Sequence, residues 1–190
     1  MESTVEHFSS LFFGIFCHQD PSSLLEINGK SLMLCPRCCG LQIGFFATLI
    51  FFSFKPVLSK LHGTGSKLFA ISGLIIISTE WILAQLQFIN STVYSRLITG
   101  LLAGTSACIF LLIYYRSFSK NSKHGQRISN KIVLIAYSIS ILAGIALINS
   151  KNWMLITIML ICIITGNIIV STNALIYRIV ILKKQKIIKA

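Results

Sequence analysis

Acidic residues are scarce in this chain: 190 residues hold only five Asp and Glu, against 17 Lys and Arg. Charge of either sign is thin, at 12% of residues with 54% hydrophobic, about half the charged share of an ordinary soluble domain. That shortage excludes a soluble globular domain, and at this length one domain is expected, its core a membrane bundle. A cleaved leader is not expected either. Met1–Ser10 has no basic n-region, its only charges being Glu2 and Glu6, and the apolar stretch Leu11–Phe16 is too short for a signal core. There is no internal repeat, low-complexity run or second domain. The net charge of +12 forms no stripe interleaved with aromatics, as a nucleic-acid surface would require. It lies in the gaps between apolar runs, where topology signals sit.

What is present is apolar sequence in runs of spanning length, about 20 residues each. Five runs qualify: Cys39–Val57, Lys67–Phe88, Val93–Tyr115, Ile132–Ser150 and Trp153–Tyr177. The first leaves at Lys55-Pro56, where proline suits a helix exit. Phe8–Phe16 covers only about 14 Å at helical rise and reads as an interfacial or half-inserted helix. The expected architecture is therefore all-α, a polytopic integral membrane bundle of about five transmembrane helices. Residues 1–38 form a Cys/His-containing N-terminal segment with a short interfacial helix, 39–177 the bundle, and 178–190 a basic tail. That tail is either a plain topology signal or an amphipathic helix lying on the surface.

Basic residues assign the two sides. Lys55, Lys60 and Lys67, then Arg116, Lys120, Lys123, Arg127 and Lys131, then Arg178, Lys183, Lys184, Lys186 and Lys189 all fall on one side. The other side has Lys30, Arg37 and Lys151, with Arg96 inside a run, and also Glu2, Glu6, Asp20 and Glu26. The positive-inside rule then places the N-terminus outside, the C-terminus in the cytoplasm, and the protein in the inner (cytoplasmic) membrane as a multi-pass chain.

Chemistry concentrates near the N-terminus. Four of six cysteines lie in the first 39 residues, as Cys17-His18 and, further on, Cys35-Pro36-Arg37-Cys38-Cys39-Gly40. A two-residue gap lets both thiolates of Cys35 and Cys38 face one ion, and Cys17 and His18 complete the Cys3His count that tetrahedral zinc accepts. His7 or Cys39 could replace one ligand. Haem attachment is excluded, since Cys39 rather than histidine follows Cys38. A structural disulfide remains open, because an outward segment faces an oxidising compartment. So does a thiol-disulfide oxidoreductase with Cys35 and Cys38 as the redox pair, coupled to quinone or a partner thiol protein. Cys108 and Cys162 fall mid-run and read as packing residues.

These residues resemble the signature of an uncharacterised prokaryotic membrane-protein family, the domain of unknown function number 2085. The resemblance runs from Cys17-His18-Gln19-x-Pro21 through Cys35-x-Arg37-Cys38-x-Gly40-x-x-x-Gly44 to Arg96-Leu97-Ile98-Thr99-Gly100 and Gly104. Glu80 stands where the family pattern has aspartate, Ser23 where it has arginine, and Gln42 where it has an aromatic. The resemblance implies a shared fold and site and supplies no reaction.

Two charged residues lie inside apolar runs. Glu80 is the only acid after Glu26, and an intramembrane carboxylate is a functional-site candidate by default. Arg96 lies one tight connection away, so the expectation is a Glu80–Arg96 pair, structural or catalytic, in an outer-leaflet polar pocket shared with Gln42, Gln85 and Gln87. Gly100, Gly104 and Ser106 are spaced for close helix contact. The preferred reading is a transition-metal site, zinc by chemistry, on Cys17, His18, Cys35 and Cys38, capping a pocket with Glu80 and Arg96. An open metal position would permit Lewis-acid hydrolysis or group transfer on a lipid-like substrate, and a fully ligated site would be structural. A small transporter is the third reading, though no broken-helix pair accompanies the buried acid.

The orientation is directly testable. A membrane-impermeant thiol reagent should reach a cysteine introduced at Ser22 in intact cells, and one at Ser122 only after lysis, each measured against the parent protein's own labelling. The opposite pattern would reverse the topology.

Overall fold

The computed structural model describes residues 2–19, 23–53, 64–117 and 130–189. Its elements in chain order are α1 (Glu2–Gly14), β1 (Glu26–Ile27), β2 (Lys30–Ser31), α2 (Pro36–Ser53), α3 (Thr64–Gln85), α4 (Val93–Ser117), α5 (Asn130–Asn149) and α6 (Trp153–Lys189). Helices α2 to α6 occupy the five apolar runs, which gives the all-α membrane bundle expected. By length and composition Pro36–Ser53, Val93–Ile113 and Trp153–Tyr177 can cross a membrane, while Ala70–Gln85 and Ile132–Leu147 are shorter apolar stretches. Large apolar side chains such as Leu68, Ile75, Leu142 and Ile169 point outward, as they must where hydrocarbon rather than water is the solvent.

Helix ends differ from the sequence expectation for local reasons. Helix α2 starts at Pro36, earlier than Cys39, because proline is preorganised for the first helical position and has no N–H to lose there. The exit at Lys55-Pro56 lies outside the described residues. Helix α6 does not stop at Tyr177 but continues to Lys189, 37 residues in all, or about 55 Å at 1.5 Å per residue.

The centre of the bundle is the contact of α2 with α4, made by glycines on both sides. A side chain at Gly40 or Gly44 would run into the backbone of Leu97 and Leu101, and one at Gly100 or Gly104 into that of Arg37 and Leu41. This is a reciprocal Gly-x-x-x-Gly pairing, in which small residues let two backbones approach where no hydrophobic effect drives helices together. Hydroxyls add a second tie. Thr105 Oγ1 donates to Ser140 Oγ at 2.9 Å, Ser140 Oγ lies 3.2 Å from Thr48 Oγ1, and Ser106 pairs with Tyr137 at 2.7 Å. These bonds join α2, α4 and α5. Helix α6 is tied to α2 where Asn167 Nδ2 donates to Gln42 Oε1 at 2.8 Å.

The N-terminal segment is a folded cap. Asn28 and Gly29 both take positive φ, 52° and 76°, the conformation of a two-residue hairpin turn, and they join β1 to β2 in the register Glu26↔Ser31, Ile27↔Lys30. Leu25, Ile27, Leu32 and Leu34 bury into one core with Phe13, Leu97, Trp153 and Ile156. Trp153 Nε1 donates to Ser31 O at 3.0 Å, and the Lys30 ammonium sits 5.3 Å over the Trp153 ring. Gln19 Nε2 stitches the segment internally, donating to Ser10 O at 2.8 Å and Met33 O at 3.1 Å. Helix α1 lies against the first turns of α6, where Thr4, Val5 and Phe8 face Ile158 and Cys162.

Because a Cβ at Gly104 would collide with backbone that cannot rotate away, Gly104→Ala should destabilise the protein by roughly 1–3 kcal/mol or more. Gly166→Ala, whose nearest neighbour is a Phe46 ring atom at 3.4 Å, should be neutral or mildly stabilising. Thermal unfolding in detergent compares the two.

Candidate metal centre and its pocket

Three of the N-terminal thiols converge. The Sγ atoms of Cys17, Cys35 and Cys38 all lie within 4.8 Å of one another, although 18 residues separate Cys17 from Cys35. Local structure explains the convergence. Cys17 ends the chain leaving α1, its N–H bonded to Phe13 O at 2.9 Å. Cys35 occupies the N-cap of α2: its carbonyl accepts from Cys39 N at 3.0 Å, and its sulfur accepts from Cys38 N at 3.5 Å. Cys38 stands one turn on, with its thiol donating to Phe16 O at 3.7 Å. The Cys35 N–H donates to Cys17 Sγ at 3.4 Å. Proline at Pro36 starts the helix at the point that puts Cys35 and Cys38 on the same side of its first turn.

One thiol of the cluster, Cys17, is held toward the thiolate. Hydrogen bonds from Cys35 and Cys38 hold the Cys17 thiol well below its usual range, while Cys35, whose proton is engaged by Cys17, is pushed upward. The N-terminus of α2 adds a positive field that stabilises negative sulfur. Cys39 is elsewhere: it is fully buried in the apolar core beside Ile43 and Leu97.

A cavity of about 630 Å³ adjoins the thiols, with Cys17, His18, Cys35, Arg37 and Cys38 at one end and Leu41, Ile77, Trp81 and Ile82 along the rest. His18 is exposed. It lines this cavity but is not among the three groups that share the sulfur cluster.

Glu80 does not pair with Arg96. Its carboxylate takes a bidentate fork from Arg37, Nε to Oε2 at 2.7 Å and a terminal nitrogen to Oε1 at 2.8 Å, and both side chains are mostly buried. Arg37 sits in the first turn of α2 between Pro36 and Cys38, its carbonyl lies against Gly100, and its guanidinium reaches Glu80 on α3. Arg96 instead donates to Ser91 Oγ in its own connection at 2.7 Å. The polar pocket expected from the sequence is also redrawn. Gln42 faces Asn167 across α6, and Gln85 and Gln87 are exposed at the end of α3. Of those groups none lines the cavity, whose α3 wall is Ile77, Ser78, Trp81 and Ile82.

Arg37 is the site residue that sequence reasoning counted only among the outer basic residues and within the family motif, without pairing it to Glu80. The signal lay in its position, directly between two metal-type cysteines and at the mouth of a helix. Removing one partner of a buried ion pair costs roughly 3–5 kcal/mol, and removing both costs much less. Arg37→Ala and Glu80→Ala should each lower thermal stability, the double variant should recover much of the loss, and Arg96→Ala should be mild by comparison.

No curated protein and no solved structure matches the chain. Residues 17–110 match a family model described as a predicted membrane protein, DUF2085. The matched stretch begins at Cys17 and takes in the three clustered thiols, Arg37, Glu80 and all four glycines of the α2–α4 contact. Over residues 17–110, therefore, this chain is similar to the DUF2085 membrane-protein family.

Proposed function

We propose that the protein is a membrane metalloprotein that binds one transition-metal ion, zinc by its chemistry, through Cys17, Cys35 and Cys38 at the mouth of the bundle. The observation that carries this reading is the approach of three sulfurs within 4.8 Å. A disulfide would use two of them and leave the third stranded, whereas a zinc ion uses all three at about 2.3 Å each. Three protein ligands with the fourth position facing a cavity is the pattern of a zinc site that acts on a ligand rather than one that only braces a fold. His18, adjacent to Cys17 and lining that cavity, is the side chain placed to occupy the fourth position when no ligand does. Glu80 and Arg37 hold the first turn of α2 against α3 and so set where Cys38 stands. The N-terminal segment faces outward on this reading, with residues 1–38 as the cap, 39–177 as the bundle and 178–190 on the cytoplasmic side.

One observation favours a second reading. Cys35 caps a helix and is followed at the two-residue spacing by Cys38, which is also the arrangement of a redox-active dithiol at a helix N-terminus. Metal analysis with thiol counting separates the two. Protein purified without chelator should carry about one zinc per chain with the three thiols protected from alkylation, and Cys17→Ser, Cys35→Ser or Cys38→Ser should each bring the metal near zero. Cys39→Ala should leave the content unchanged. His18→Ala should retain metal but shift the visible spectrum of the cobalt-substituted protein, since only the fourth ligand changes. Metal-free protein whose Cys35 and Cys38 cycle between dithiol and disulfide would overturn the metal reading in favour of the redox one.

A further inference from the structure

The cavity beside the sulfur cluster is continuous with the side of the bundle that meets lipid. At about 630 Å³ it falls within the range of small-molecule sites, roughly 300–1,000 Å³. Its inner end is polar, with the three sulfurs and His18. Its outer wall is α3, where Trp81 is 52% and Ile82 49% exposed on the face turned to hydrocarbon. A molecule entering from the bilayer would pass Ile77, Trp81 and Ile82 on α3 before reaching the sulfurs. The cavity thus has a gradient from apolar to polar that matches an amphiphile held by its tail.

The charges lining the cavity decide which amphiphile. Among the described residues, Arg37 is the only lining side chain with a permanent positive charge, and that charge is paired with the Glu80 carboxylate through Nε and one terminal nitrogen. A phosphate would have to compete with that carboxylate for the guanidinium charge. Three thiolates around a divalent ion carry net negative charge, which repels an anionic head further. Burying an unpaired anion beside them is far costlier than burying a hydroxyl or carbonyl. An uncharged oxygen head has what it needs, namely an open metal position and the Ser78 Oγ, whose own proton is donated to Leu74 O at 2.9 Å, leaving its lone pairs to accept.

We propose that this cavity binds a bilayer-borne amphiphile with an uncharged, hydrogen-bonding oxygen head, of the class of long-chain alcohols and acylglycerols, with the head at the sulfur cluster and the hydrocarbon along Trp81 and Ile82. The choice of head rests on the metal reading above, and the lateral route does not.

The test uses full-length protein in vesicles with a monoacylglycerol bearing a photoreactive diazirine in its chain, alongside the lysophosphatidate of the same chain. The monoacylglycerol should label the peptide carrying Ile77 to Ile82 saturably, should be competed by unlabelled monoacylglycerol, and should exceed the phosphate analogue on the order of tenfold at equal concentration. Ser78→Trp, which fills the cavity, should remove the saturable part while labelling elsewhere on α3 persists. The wild-type competition experiment stands alone if that variant does not fold. Labelling that is unsaturable, or equal for both probes, overturns the proposal. Metal content measured on the same samples keeps the two readings apart. Saturable labelling in a protein with no bound metal retains the site and sinks the metal reading, and bound metal with unsaturable labelling does the reverse.

Discussion

Helices α2 and α4 touch through their backbones, and most of what lies above that contact follows from it. In lipid there is no hydrophobic effect between helices, so close approach of main chains, with its dense van der Waals contact, has to do the holding. Gly40, Gly44, Gly100 and Gly104 permit this by having no side chain to interpose. One point of contact is the Arg37 carbonyl beneath Gly100. Arg37 belongs to the first turn of α2, so fixing its backbone fixes the N-cap Cys35 and the following Cys38. The position of two sulfurs is thereby set by helix packing.

The third sulfur arrives by a different route. Cys17 belongs to the cap, and the cap is held by groups distant in sequence: Trp153 at the head of α6, the Lys30 ammonium above its ring, and Gln19 bridging Ser10 and Met33. The sulfur cluster is consequently a joint between two separately stabilised units, the glycine-packed helix pair and the hairpin cap. A metal ion there would cross-link them, and its binding energy would add to the stability of the whole chain, because the unfolded chain has no such site.

Much of this architecture is legible in the sequence, and the failures have a common cause. Apolar runs of twenty residues admit few solutions in a bilayer, so α2 to α6 follow from composition and length, and the spacing of Cys35 and Cys38 points to a shared partner. Depth along a helix can likewise be counted, which is why Glu80 and Arg96 were expected near one another. The direction in which a side chain leaves the helix axis cannot be counted in the same way. A helix that is apolar on every side carries no polar face to mark it, so nothing local distinguishes a Glu80 facing α2 from one facing α4. The hairpin was missed for another reason. Asn28-Gly29 is a strong turn signal, but its strands are two residues each, too short to show alternation. His18 illustrates the remaining limit: neighbours such as Cys17 and His18 point different ways, and spacing does not say which one turns inward.

The unbroken course of α6 has a mechanical consequence. Its first residue, Trp153, grips the hairpin cap, and its last turns carry Lys183, Lys184, Lys186 and Lys189 at the far end of a rod of about 55 Å. A continuous helix of this kind transmits twist and tilt along its length, since each turn is bonded to the next and no glycine-proline hinge interrupts it. At its other end Trp153 is bonded to Ser31 O, in the segment that leads on through Met33 to Cys35, so one element joins the basic end of the chain to the cap. A tilt of α6 would therefore move the cap that carries Cys17.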